Sequence, residues 1–168
     1  MTTAEKPADC DARSNCPTWR SAPLVSAGLL AGSLDLIFAM TMWAFFDVSP
    51  ITVLHTIASG MFGTAAYSGG ILTAGLGLLL HFGIVFIMVL AYFRGAPARL
   101  RTHPWLGGLA YGALLWAVMN LVVVPASAAP VGLPPLPIML ADIAAHMILV
   151  GLPIAWGAVL RERYRKHV

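Results

Sequence analysis

Charge is scarce in this chain: only 10% of its residues are charged and 59% are hydrophobic, whereas a soluble domain carries about 25% charged residues. That scarcity excludes an ordinary water-soluble fold. With 168 residues given almost wholly to apolar runs, no room remains for a separate globular module. Cysteine is nearly absent as well. Cys10 and Cys16 are the only two, and they lie in a polar leader that the charge pattern puts in a reducing compartment, so no structural disulfide is expected. Asp9 and Asp11 beside them could help hold a soft metal, but two cysteines in such a leader are more often incidental, and no metal site is assigned. Also missing are a phosphate-binding glycine loop, a hydrolase elbow, a zincin helix and a redox CxxC pair. No catalytic residues are assigned, and an enzyme is the least favoured class. The net charge of +3 comes without a basic stripe interleaved with aromatics, so nucleic acid is not an expected partner.

What is present is long hydrophobic runs. A membrane-crossing helix needs about 20 mostly apolar residues, and four segments qualify, at about 24–46, 70–93, 105–125 and 137–160. The expected fold is all-α, a polytopic membrane protein built as a four-transmembrane-helix bundle in contact with the lipid bilayer. Residues 1–23 form a polar leader expected to be flexible, and 161–168 a basic tail. The first run is too long for a secretory core and has no adjoining small-residue cleavage site, so it is expected to stay as an anchor.

All ten Lys and Arg fall in the leader (Lys6, Arg13, Arg20), the middle connection (Arg94, Arg99, Arg101) and the tail (Arg161, Arg163, Arg165, Lys166). The positive-inside rule then puts both termini and that connection in the cytoplasm. Four crossings satisfy the pattern; three or five would break it. The first outer loop opens with Ser49-Pro50 and spaces Ile51, Leu54, Ile57 and Ala58 along one side, which predicts a short interfacial or re-entrant helix. The second carries Pro130, Pro134, Pro135 and Pro137 and predicts an extended connector. Pro153, inside the last run, should kink its helix and free the carbonyl of Leu149.

Gly28/Gly32 and Gly108/Gly112 are GxxxG steps, read as helix-packing sites. Each precedes an outer loop and a helix with a central histidine and a basic exit, which suggests two parallel helical-hairpin repeats.

Five acidic, histidine or asparagine residues sit inside these runs: Asp35, His81, Asn120, Asp142 and His146. A carboxylate at the bilayer centre costs about 2.5–3.5 kcal/mol on insertion scales, so such residues face partners or water rather than lipid. Asp142 and His146 are i, i+4 neighbours on one helix face. Together the five predict a buried polar centre able to exchange protons near neutral pH, with His55 as an outer-loop contributor. Each also has a plain structural reading, as a polar group that holds helices together.

The segments Leu34-Asp35-Leu36, Ser49-Pro50, Ile57-Ala58-Ser59-Gly60, Leu80-His81-Phe82, Met119-Asn120, His146-Met147 and Val150-Gly151-Leu152-Pro153 resemble a pattern found in bacterial four-helix inner-membrane proteins, distantly similar to the YagU-like group. The likeness runs from about Gly28 to Trp156. It implies the same architecture and a bacterial inner membrane, and carries no mechanism with it. Proton-linked transport or binding of a small solute is the expected function. An accessory subunit of a larger membrane complex is the alternative, and a haem b held between His81 and His146 a second one; otherwise no cofactor is expected. The GxxxG faces could also serve a homodimer.

Overall fold

The computed structural model describes residues 21–166, with side chains to residue 163. Cys10, Cys16 and the expected flexibility of the leader lie outside the described residues. No strand occurs among them. Four helices are long and apolar enough to cross a membrane, Ala22–Ala44, Gly70–Gly95, Pro104–Ala126 and Leu136–Arg163. We call them the first to fourth spans. Their ends differ from the sequence expectation by at most three residues.

Local chemistry explains these boundaries. The first, third and fourth spans carry a proline in their first turn, namely Pro23, Pro104 and Pro137, where the missing N–H has no helical acceptor to lose. The second begins at Gly70 with φ 58°, a left-handed turn that glycine takes without strain. Between the first two spans lies a helix at Pro50–Phe62, capped by Ser49, whose Oγ accepts from the Thr52 N–H at 3.3 Å. It ends at Gly63, again at positive φ, and a 3-10 turn over Gly63–Ser68 leads into the second span. The other loop has no regular secondary structure over 129–135, and its Ala128 N–H donates to the Gly60 carbonyl at 3.0 Å, tying the two loops together.

Two spans contain a widened π-helical turn, at Met119–Val123 in the third and His146–Gly151 in the fourth. Each is followed two residues later by a proline, Pro125 or Pro153. A proline ring clashes with the carbonyl four residues back and donates no hydrogen bond, so the helix opens by one residue just before it. The disturbance expected at Pro153 therefore takes the form of a π-turn.

The first span packs between the second and the fourth, and the fourth between the first and the third. Small residues set these approaches: Gly28 and Gly32 lie against Phe86 and Phe82 of the second span, Gly157 of the fourth against Ala27 and Pro23 of the first, and Gly108 and Gly112 against the main chain of the fourth. All four GxxxG glycines thus lie at close helix contacts. Between the second and third spans, the Tyr111 hydroxyl donates to the Met88 carbonyl at 2.7 Å and the Tyr92 and Tyr111 rings sit 4.8 Å apart. The apolar core fills the half of the bundle towards the basic connection, around Ala31, Val89, Tyr92, Ile154 and Ala155. Large apolar side chains such as Leu29, Ile37, Leu79, Ile87, Leu114 and Ile148 point outward, as a lipid-facing surface requires. By the length and composition of these four helices, this is a membrane protein.

Candidate functional site

At mid-height, where the apolar core gives way, the first and fourth spans face each other through polar side chains. The π-turn begins at His146, one turn after Asp142. The His146 Nδ1 lies 3.3 Å from Asp142 Oδ1 and 3.9 Å from Asp35 Oδ1 on the first span. It is also 3.0 Å from the main-chain carbonyl of Asp142. All three neighbours are oxygen acceptors, so Nδ1 carries the hydrogen, and Nε2 is the nitrogen left to take or release a second proton.

The third span contributes a residue that the sequence reading did not single out. The indole Nε1 of Trp116 donates to Asp142 Oδ2 at 2.8 Å, so both oxygens of that carboxylate are engaged. Trp116 is almost wholly buried. Its signal in the sequence was its position: an indole far from either helix end must find an acceptor inside the bundle. Asn120, expected between helices, instead donates from Nδ2 to the Trp116 carbonyl at 3.1 Å, within its own helix and in the π-turn. It therefore reaches the centre only through Trp116.

His81 is buried on the second span, and its Nε2 donates to the carbonyl of Gly32 at 2.9 Å. Gly32 lies three residues before Asp35, so this bond fixes His81 against the turn of the first span that leads to Asp35. The structure thus gathers Asp35, Asp142 and His146 directly, with His81 one shell away. His55 stands apart. It is buried on the loop helix, where Nε2 donates to the Gly70 carbonyl at 2.8 Å and the ring meets Tyr67 edge-on. Nearby, Gly77 of the second span lies against Leu54 of the loop helix, and Thr73 Oγ1 donates to Ala66 at 2.8 Å. Thr73 and Gly77, in the two turns before His81, therefore face the loop segment, whereas His81 faces the first span.

No family model matches this chain, and no curated protein or solved structure is similar to it. The functional reading therefore rests on the geometry of the site and on the pattern of the sequence.

That geometry is chemically limited. Among the described residues, no group of three or more His, Cys, Asp or Glu side chains is arranged to hold a metal ion. Asp35, Asp142 and His146 are only partly covered, with side chains 18%, 28% and 15% exposed. Together they form a cluster of two carboxylates around one imidazole nitrogen that bridges two helices, an arrangement in which a proton can be shared.

Proposed function

We propose that this protein is a bacterial inner-membrane protein in which Asp35, His146 and Asp142 form a proton-exchanging centre for binding or transporting a small solute. The observation that carries the reading is His146 Nδ1 set between carboxylates of two different spans. Polar groups at the bilayer centre are costly and are kept where they do something. An imidazole whose Nδ1–H is held by acceptors and whose Nε2 is open to a proton is the usual physiological proton carrier. The clustering of Lys and Arg in the leader, middle connection and tail supports cytoplasmic termini. The resemblance to YagU-like proteins supports the same compartment. Assembly into a homodimer or a larger complex fits the same chain.

The haem alternative is the weaker reading. Nε2 of His81, the nitrogen best placed to reach an iron, donates to Gly32 in a tightly packed helix pair, which leaves only Nδ1, next to the ring's point of attachment, as a ligand. The test is a whole-cell uptake and binding screen of small solutes at two pH values, comparing the native protein with Asp35→Asn. The expected result is a solute whose uptake or binding depends on pH in the native protein, and loses that dependence in the variant. A variant that inserts normally and handles every solute as the native protein does would reduce the centre to helix glue, as in an accessory subunit.

A further inference from the structure

The basic end of the bundle holds a second polar corner that the proton-exchanging centre does not use. The connection between the second and third spans folds into a short helix, Ala98–Thr102. It lays Arg101 against the fourth span, with Nη1 3.3 Å from Glu162 Oε1. The Arg161 guanidinium covers the ring of Phe93, its Cζ 5.6 Å from the ring centroid. Between these groups lies a recess of about 30 Å³ lined by Phe93, Arg101, Ala158, Arg161 and Glu162. Two buried polar atoms at this corner have no hydrogen-bond partner, Arg101 Nε and the hydroxyl of Tyr92. Tyr92 is only 2% exposed, and its hydroxyl lies beside Gly107, where the Leu100 carbonyl next to Arg101 also packs.

A guanidinium only donates, so a group held in the recess beside Arg101 and Arg161 must offer acceptors. Two guanidinium groups face one carboxylate here, so the corner has surplus positive charge and favours an anion. At the same end of the bundle, Trp105 and Trp156 pack edge to face at 5.6 Å and are 61% and 41% exposed, the arrangement expected of indoles at a membrane–water interface, where headgroups lie. The apolar part of the lining, Phe93 and Ala158, suits the carbon next to a phosphodiester better than a fully hydrated free ion. We propose that this recess binds the phosphate of an anionic phospholipid headgroup, with Arg101 and Arg161 as its charged contacts and Glu162 as the competing internal anion.

The proposal is independent of the Asp35–His146–Asp142 reading, and either can fail alone. Its test uses the full chain purified in an uncharged detergent, titrated with phosphatidylglycerol, phosphatidylcholine or inorganic phosphate. Bound lipid is counted by native mass spectrometry and protection by thermal unfolding. Phosphatidylglycerol should be retained and raise the unfolding temperature, whereas phosphatidylcholine should do neither. Arg101→Gln and Arg161→Gln should each weaken phosphatidylglycerol binding about fivefold. Glu162→Gln, which keeps both arginines and removes their competitor, should strengthen it, and this variant decides the matter if an arginine variant fails to fold. Equal retention of both lipids, or a Glu162→Gln protein that binds no better than native, would overturn the proposal. Inorganic phosphate giving the same protection as phosphatidylglycerol would overturn the lipid as the occupant.

Discussion

The two hairpins share an outline yet are closed by different materials. In the first, Gly28 and Gly32 receive the rings of Phe86 and Phe82; in the second, Gly108 and Gly112 receive the backbone around Gly151 and His146. In both, the later glycine of the pair faces the central histidine of the partner helix. His81 gives its imidazole to the carbonyl of Gly32. His146 presents its own carbonyl to Gly112, and its imidazole turns to Asp142 and, across the helix pair, to Asp35. Backbone-to-backbone packing in the second hairpin thus frees a histidine that ring packing in the first hairpin consumes. The π-turns add to this difference, since both lie in the second hairpin.

The largest test of that contrast is steric. A Cβ on Gly112 would lie 2.5 Å from the Met147 Cα and closer still to the His146 carbonyl, and main chain has nowhere to go. Gly112→Ala should cost about 3 kcal/mol or prevent folding. Gly32→Ala meets the Phe82 ring at 2.7 Å, which can turn aside, and should cost nearer ~1 kcal/mol. Thermal unfolding in detergent micelles compares the two, and equal costs would erase the distinction.

Exchanging the histidines sharpens it next. His81→Ala leaves the Gly32 carbonyl with one bond fewer and should lower stability by about 1 kcal/mol, while leaving the pH response of the centre in place. His146→Ala should abolish that response, followed as the part of the tryptophan emission that disappears in Trp116→Phe. If His81→Ala removed the response as fully as His146→Ala, the division of labour would be wrong.

Trp116→Phe should itself cost about 1 kcal/mol, the usual worth of one buried hydrogen bond, because Asp142 Oδ2 loses its donor. Combined with Asp142→Asn, the loss should be well below the sum of the two single changes. Additive losses would mean that the 2.8 Å bond contributes little.

The smallest effect on stability belongs to Pro153→Ala, expected within about 1 kcal/mol of native because removing the ring lets the helix close its ladder. Its mark should appear elsewhere. With the π-turn regularised, His146 shifts relative to Asp35 and the pH response should weaken. An unchanged response would show that the turn is held by packing at Gly112 and Gly151, not by the proline.

The spans were legible in the sequence because a 20-residue apolar run has few other readings, and the loop helix because Ser49-Pro50 carries its own start signal. Asp142 and His146 were legible as a pair because helical spacing alone brings them together. Trp116 was not, since its role depends on which face of the third span turns to the fourth, and that is set by Gly108 and Gly112 meeting Gly151 and His146. The bond of Asn120 within its own helix was hidden for a related reason: Pro125 widens the ladder locally, and periodicity counts do not register a π-turn. His55 looked like a loop residue until the loop helix folded against Gly77 and buried it.

The account depends most on Asp35, His146 and Asp142 behaving as one proton-binding unit. pH-difference infrared spectroscopy of the protein in lipid bilayers reads carboxyl protonation directly. The native spectrum should contain a carboxyl signal that changes in Asp35→Asn, in Asp142→Asn and in His146→Gln alike, because the three side chains meet in one cluster at His146 Nδ1. A carboxyl signal that ignores His146→Gln, or no signal across the physiological pH range, would contradict it.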